Sequence, residues 1–438
     1  MQPSTLQPGA ATSGSSSSLE QAAYRKVGWR LIPFLLICYI VAYLDRVNVG
    51  FAKLQMLNDL KLSDTVYGLG AGIFFFGYFL FEVPSNVILH KVGARIWIAR
   101  IMITWGIISG LTMFVTTPTM FYVMRFLLGV AEAGFFPGII LYLTYWYPSE
   151  RRGSMTAWFM TAVALSGFIG GPVSGWILED LSGAHGLAGW QWLFLLEAIP
   201  SIVIGIIVLF YLDDRIHNAK WLSAEEKQLL ERNIAADTAE KHDLPLRKVF
   251  SNGRMWAMSL IYFSFVIGLY GVSFWLPTII KTTGIKDSLT IGLLTAIPYG
   301  FAVIAMVLVG WRSDIKRERR WHIAVPALIG AAGLYLSTIW SGNTTLAMVA
   351  LTFATMGIMI VLPLFWSLPT AILSGTAAAA GIAMINSLGN LAGFFGPSLI
   401  GYLKDVTQST NSGIDVLAAF MVLGALVTLA MPSKLVNK

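Results

Sequence analysis

The chain has 438 residues, of which 56% are hydrophobic and only 12% are charged, and its mean hydropathy is +0.69. A soluble domain carries about 25% charged residues, so this composition excludes a soluble globular protein. The net charge of +7 would suit a nucleic-acid-binding protein, but in a membrane protein it is explained by basic cytoplasmic loops. We therefore expect a lipid bilayer as the surroundings and no nucleic acid partner.

The first 23 residues are rich in Ser, Gly, Pro and Gln and carry one charge, Glu20. Such a composition predicts a disordered tail. It does not fit a signal peptide, because the basic and apolar regions begin only at Tyr24. The first apolar segment is therefore expected to remain as an uncleaved membrane span.

Apolar stretches long enough to cross a bilayer, roughly 20 residues each, follow in two sets of six. The first set lies within residues 24–212 and is expected at Trp29–Phe51, Val66–Leu89, Ile96–Val115, Thr119–Trp146, Met155–Leu178 and Trp192–Leu212. The second set lies within residues 254–438 and is expected at Trp256–Ile280, Leu289–Gly310, Ile323–Trp340, Leu346–Leu373, Ala379–Leu403 and Val416–Met431.

Between the two sets lies a charged connector, residues 213–253. Within it, Ser223 is followed by Glu225 and Glu226, which is typical of a helix N-terminus with a capping serine and acids in the first turn. A short amphipathic cytoplasmic helix is expected there.

The distribution of Lys and Arg predicts the orientation. With these spans, 23 of the 30 basic residues fall on the side of the N-terminus and five on the other side, while Arg46 and Arg125 lie inside spans. Basic residues concentrate on the cytoplasmic side. We therefore expect both termini in the cytoplasm and a multi-pass protein of the cell (inner) membrane.

Two internal matches indicate a duplication. Gly167–Asp180 in the fifth span resembles Gly393–Asp405 in the eleventh, at an offset of 226, and Asn86–Arg95 resembles Gly310–Arg319, at an offset of 224. Agreement of the offsets favours two six-helix halves arranged as a parallel repeat, with a substrate site between them.

Four ionisable residues interrupt the apolar spans: Asp45 and Arg46 in the first span, and Arg125 and Glu132 in the fourth. Charges at membrane depth are costly and usually mark a functional cavity. Arg125 and Glu132 are seven residues apart, so they share one helix face roughly 10 Å apart along the axis. Two arginines and two carboxylates predict a site for an anion and a proton, although a buried ion-pair lock between the helices is the structural alternative.

The expected coupling is electrostatic. We expect Asp45 to pair near Arg46 or with Arg125, so that ionised Asp45 neutralises the arginines. Protonation of Asp45 then frees positive charge for an anion, and proton and anion binding favour each other.

From about residue 24 onward, the chain resembles transporters of the major facilitator superfamily. The loop after the eighth span has the Gly–Asp–basic pattern of that superfamily, whereas the first-half copy has His90 where Asp is usual. The segments Tyr43–Ala52 and Arg125–Pro137 resemble the anion:cation symporter family, which includes tartrate, phthalate, hydroxyphenylacetate and hexonate transporters. The resemblance implies that Asp45 and Glu132 handle protons and that Arg46 contacts the substrate.

Further substrate contacts are sought among polar and aromatic residues within the spans. The candidates beside Arg46 and Arg125 are Tyr43, Tyr78, Trp366, Ser367 and Asn390, followed by Tyr270 and Trp275. Two other carboxylates have structural interpretations: Glu82 is expected to pair with a loop arginine at the cytoplasmic gate, and Glu197 to be similarly structural.

The sequence thus predicts a proton-coupled symporter that imports a small organic carboxylate by alternating access. Local similarity around Phe74–Ile103 favours a tartrate-like hydroxy-dicarboxylate or an aromatic carboxylate. A sugar-acid (hexonate) symporter, a drug-exporting antiporter and a non-transporting membrane sensor are the alternatives. We expect a monomer that is not an enzyme and binds no metal or cofactor.

Overall fold

The computed structural model describes residues 12–239, 252–372 and 375–433, and the regular elements within them are helices. The first six spans are formed by Thr12–Val47 with Val49–Leu60, Asp64–Val92, Ala94–Leu111, Pro118–Glu132 with Phe135–Thr144, Ser149–Asp180 and Gly189–Tyr211. The connector contains Ala224–Ala239. The next six spans are formed by Gly253–Thr282, Ser288–Lys316, Arg320–Ile339, Thr344–Phe365 with Ser367–Ile372, Gly375–Thr407 and Asn411–Ala430. Short 3₁₀ turns lie at Thr112–Phe114, Ala184–Gly186 and Ile216–Asn218.

The predicted fold class, an all-α integral membrane protein with twelve transmembrane helices in two six-helix repeats, is confirmed. Among the described residues, eleven helices are long and apolar enough to cross a membrane, and Gly375–Thr407 occupies the predicted eleventh span. Spans one to six are called the first half below, and spans seven to twelve the second half.

The prediction of a disordered tail over residues 1–23 is wrong for its described part. Residues 1–11 lie outside the described residues, but the first helix already begins at Thr12. Contacts with the body of the protein stabilise this extension: Glu20 pairs with Arg151 at 3.3 Å, and the ring of Tyr24 stacks on Tyr147 with centroids 5.9 Å apart.

Helix packing repeats with an offset of six spans. In the first half, spans two and four, three and six, and one and five pack together; in the second half, eight and ten, nine and twelve, and seven and eleven do so. The halves meet where span two packs on span eleven and span five packs on span eight. The same pairing in both halves is what a parallel repeat requires, and it surrounds a central space lined by both.

Two spans of the first half are interrupted next to their charged residues. The first span breaks at Asn48, just after Arg46, and the fourth breaks at Ala133 and Gly134, just after Glu132. Gly134 has φ +86°, and a Cβ there would lie 2.3 Å from Ser85 Oγ, so both the backbone conformation and the space require glycine. The two breaks place the charged pair at helix ends rather than within regular helix.

At one end of the bundle, called the Asp64 end, the halves are in close contact. A Cβ added to Gly292 would lie 2.2 Å from the carbonyl oxygen of Gly171, so spans five and eight approach as closely as small residues allow. Asp64 of the first half pairs with Lys53 at 2.6 Å and with Lys404 of the second half at 3.1 Å. The Lys53 ammonium also lies 3.3 Å from the ring centroid of Trp275.

The connector helix begins as predicted. Ser223 Oγ accepts the N–H of Glu226 at 3.2 Å, and Glu226 Oε2 accepts the N–H of Ser223 at 2.8 Å, which is a capping box. Partial burial opposes ionisation of Glu226, but the hydrogen bonds from Ser223 and Lys26 outweigh it and hold the pKa of this carboxyl below its usual value. Lys26 thereby links the connector to the first helix.

Candidate functional site

Arg46 is the centre of a buried network that joins the two halves. Its Nε donates to Glu132 Oε1 at 3.1 Å, its Nη2 also contacts that oxygen, and its Nη1 donates to the hydroxyl of Tyr270 at 2.8 Å. Arg46 is 4% exposed and Glu132 is 1% exposed. A guanidinium bound to one carboxylate oxygen through two nitrogens holds its partner in a fixed geometry.

Asp45 belongs to a different network. Its carboxylate accepts hydrogen bonds from Trp105 Nε1 at 3.1 Å and Ser109 Oγ at 3.0 Å, and from Ser201 Oγ. The expectation that Asp45 pairs near Arg46 or with Arg125 is therefore wrong. Consecutive residues on a helix point about 100° apart, so Asp45 faces spans three and six while Arg46 faces the interior.

Arg125 supports the first-span break. Its Nη2 donates to the carbonyl oxygen of Arg46 at 3.2 Å, and its guanidinium carbon lies 5.2 Å from the ring centroid of Phe74. Its Nε and Nη1 are buried and make no hydrogen bond within the described residues. Arg125 thus adds positive charge beside Arg46 without a carboxylate partner of its own.

A central cavity of about 40 Å³ lies between the halves, and Arg46 is part of its wall. Six aromatic residues and two amides also line it: Tyr39, Tyr43, Tyr78, Phe136, Tyr262, Tyr270, Asn386 and Asn390. Apolar side chains complete the wall: Met160, Val163, Val266, Leu269 and Leu362. This volume suits a few water molecules, so an organic solute requires the halves to separate.

The predicted pocket residues divide into two groups. Tyr43, Tyr78 and Asn390 line the cavity, and Tyr43 also shares a hydrogen bond of 3.0 Å with Ser273 of the second half. Trp366 and Ser367 lie outside its wall. The tenth span breaks at Trp366, whose ring packs on Tyr262 at 4.8 Å, and Ser367 Oγ donates to the carbonyl oxygen of Leu364.

Sequence reasoning missed several wall residues. Tyr39 and Asn386 carried a usable signal, because they are four residues from Tyr43 and Asn390 and so share their helix faces. Tyr262 carried no such signal in a span already rich in aromatic residues. Tyr270 was a secondary candidate, yet it is the residue of the second half that binds Arg46, whereas Trp275 lies with Lys53 at the Asp64 end.

Glu82 and Glu197 are also buried, and each is hydrogen-bonded to an uncharged side chain. Glu82 accepts a hydrogen bond from Asn386 Nδ2 at 2.7 Å, so the expectation that it pairs with a loop arginine is wrong. Glu197 accepts a hydrogen bond from Ser174 at 2.6 Å, and it lies one helical turn before Ser201, which contacts Asp45.

Comparison of the sequence with known proteins identifies its family. Residues 35–397 match the model of the Major Facilitator Superfamily. The chain is 51% identical over 420 residues to the metabolite transport protein NicT of Pseudomonas putida, covering 95% of this chain and 96% of that protein. It is 52% identical to a protein of Agrobacterium vitis named as a tartrate transporter, with the same coverage.

Among solved structures, the D-xylose-proton symporter superposes with a TM-score of 0.72 at 16% identity, covering 93% of this chain and 98% of that one. At this identity the similarity concerns the fold alone. The family match, by contrast, spans most of the sequence, and the protein is a membrane transporter of the Major Facilitator Superfamily.

Proposed function

We propose that this transporter is a proton-coupled symporter that imports a small organic carboxylate. The observation that carries the proposal is the buried pair of Arg46 and Glu132, in which Arg46 forms part of the wall of the central cavity. Arg125, two of whose guanidinium nitrogens have no hydrogen-bond partner among the described residues, adds positive charge nearby. Two arginines beside one paired carboxylate, Glu132, support an anion-selective site and argue against a substrate that carries only positive charge.

The geometry favours Glu132, rather than Asp45, as the group that neutralises Arg46. While Glu132 is ionised, the guanidinium is already satisfied and attracts a substrate carboxylate weakly. A proton on Glu132 weakens that pair and frees Arg46 for the substrate. A bound anion in turn favours the protonated form of Glu132 by charge repulsion, so the two binding events stabilise each other.

Asp45 is a second buried carboxylate that can hold a proton, apart from the Arg46 network. It is 1% exposed and is bound by three neutral donors, so no cation fixes it in the ionised form. We assign it as the second proton-handling group, on the far side of the first span from the substrate.

The proposed orientation follows the Lys and Arg distribution. It places the Asp64 end outside, the connector helix and both termini in the cytoplasm, and the protein in the inner membrane as a monomer. The proposed division is residues 24–212 and 254–438 for the two halves, with 213–253 as connector. Names of relatives support a hydroxy-dicarboxylate such as tartrate, and the aromatic cavity wall supports an aromatic carboxylate.

Uptake into proteoliposomes tests the proposal. With an acid exterior, vesicles should accumulate a labelled carboxylate above its external concentration, and a protonophore should abolish the accumulation. Binding without flux would instead identify a membrane sensor, and accumulation under the opposite pH gradient would identify an antiporter. A panel of tartrate, hexonates and aromatic carboxylates separates the substrate classes.

A further inference from the structure

Glu82 is a buried carboxylate that the Arg46 network does not use. It is 5% exposed, its Oε1 accepts a hydrogen bond from Asn386 Nδ2 of the second half, and the Asn390 amide also lies beside the carboxylate. Its Oε2 is also buried but has no hydrogen-bond partner within the described residues. A buried acceptor left without a donor is costly, so this oxygen is available for a donor from a bound molecule.

Glu82 lies next to the central cavity. It follows Tyr78 by four residues on the second span, so the two side chains share a helix face about 5–6 Å apart. Tyr78 lines the cavity, as does Asn386, the hydrogen-bond partner of Glu82. Glu82 is therefore one hydrogen bond beyond the cavity wall.

The cavity thus has two ends of different chemistry. At one end, the Arg46 guanidinium carbon lies 5.6 Å from the ring centroid of Tyr78. Toward the other end, the wall carries the amides of Asn386 and Asn390, and Glu82, about one helical turn beyond Tyr78 on the second span, lies behind Asn386. The first end attracts a carboxylate, whereas the second offers two amide groups and, behind them, the oxygens of a buried carboxylate.

Aromatic residues are the largest group in the wall of this cavity. Six tyrosine or phenylalanine rings line it, and such rings favour a flat, apolar body held by stacking or edge contacts.

Resting on the proposed function, we propose that Glu82 recognises the end of the substrate remote from its carboxylate. The substrate class is then an aromatic carboxylate with a hydrogen-bond donor or cationic nitrogen at the opposite end. Its carboxylate binds Arg46, its ring lies among the tyrosines, and its nitrogen donates to Glu82 Oε2. A second carboxylate at that end meets the charge of Glu82 and is rejected, which is discrimination by repulsion.

Three benzoates of similar shape test this assignment by calorimetric binding to the purified transporter: benzoate, 4-(aminomethyl)benzoate and terephthalate. The wild type should bind the amine at least about ten-fold more tightly than terephthalate, the scale expected for one charge-assisted hydrogen bond. Glu82→Gln should reduce that preference about ten-fold while changing benzoate affinity little. Glu179→Gln, at an exposed glutamate that contacts Ser288 at the Asp64 end, is the matched control.

Several outcomes would overturn the inference. The wild type binding terephthalate as well as the amine would do so without any variant. A Glu82→Gln protein that weakens all three ligands equally would show that Glu82 only holds the halves together through Asn386. If benzoate binding is lost in Arg46→Ala while the Glu82 variant keeps the wild-type preference, the proposed carboxylate site stands and the role of Glu82 falls. If no carboxylate of any class binds, the proposed function itself fails.

Discussion

Arg46 of the first half donates to the hydroxyl of Tyr270 in the second half at 2.8 Å, while its other nitrogens hold Glu132. One guanidinium therefore belongs both to the charge balance of the first half and to the contact between halves. A substrate that takes Arg46 from Glu132 acts on a group that already bridges the two moving parts. In the proposed function, a single side chain therefore connects substrate binding to the rearrangement of the halves.

Arg46→Ala should weaken carboxylate binding by at least about 30-fold, because truncating one partner of a buried charged pair costs about 2–5 kcal/mol. Isothermal titration of the purified protein measures this loss. The variant also leaves Glu132 buried without its partner, which destabilises the fold. The double variant Arg46→Ala/Glu132→Gln removes the buried, unpaired charge of Glu132. It should therefore unfold at a higher temperature than the single variant while its carboxylate affinity stays low. Unchanged affinity in either protein would exclude Arg46 as the substrate contact.

Asp45→Asn should uncouple transport from protons while preserving binding. The amide resembles the protonated acid, and its NH₂ can donate to the Ser109 hydroxyl while its oxygen accepts from Trp105. Binding should keep the pH dependence that Glu132 confers through Arg46, whereas uphill accumulation driven by a pH gradient should disappear because Asp45 can no longer take up and release a proton. Asp59→Asn is the control, since Asp59 contacts Trp190 away from the cavity. A variant at Asp45 that still concentrates substrate would remove this residue from the coupling mechanism.

Glu132→Gln should impair net uptake more than exchange. A neutral side chain leaves Arg46 free for substrate, so substrate-for-substrate exchange can continue. Net uptake requires the empty transporter to release its proton, which a glutamine cannot do. Counterflow and net uptake in one liposome preparation distinguish the two steps. Equal loss of both activities would make Glu132 a binding or folding residue.

Gly292→Ala should favour the state in which the Asp64 end is open, since its Cβ would overlap the Gly171 carbonyl. Spin labels at Lys61 and Lys286, exposed in opposite halves, should report longer distances in this variant. The single native cysteine, Cys38, is buried and leaves the labels specific. Gly310→Ala on the same helix is the control, because nothing lies within 4 Å of its Cβ position. An equal effect of both variants would contradict the closing role of this contact.

The membrane spans and the charged residues of the candidate site were predicted from hydropathy and from charges within apolar segments. Asp45, Arg46, Arg125 and Glu132 were recognisable because ionisable residues are conspicuous in apolar spans, and internal repeats predicted the two six-helix sets. The pairing among these charges was harder, because it depends on helix phase. Arg46 and Glu132 both lie just before helix breaks, at Asn48 and at Ala133–Gly134, and composition does not reveal such backbone detail.

Contacts between the halves were beyond prediction from one sequence. Glu82 and Asn386 are 304 residues apart in the chain, and nothing local to either residue indicates the other. Trp366 and Ser367 lie outside the cavity wall for a local reason: the tenth span breaks at Trp366, and the Ser367 hydroxyl donates to a carbonyl oxygen of the preceding turn. Polarity within a span indicates that a partner is needed, but not whether the partner is a substrate.

Lys53 offers a chemical reporter that the protein already contains. Its ammonium is held between Asp64 and the Trp275 ring and is 4% exposed, whereas Lys61, two turns further along, is exposed. A membrane-impermeant amine-reactive reagent should therefore modify Lys61 at once and Lys53 only during openings of this end. Mass spectrometry would give the ratio of the Lys53 adduct to the Lys61 adduct. This ratio reports how often the Asp64 end opens in the transporter without any engineered label, since Lys61 labelling corrects for the amount of reagent.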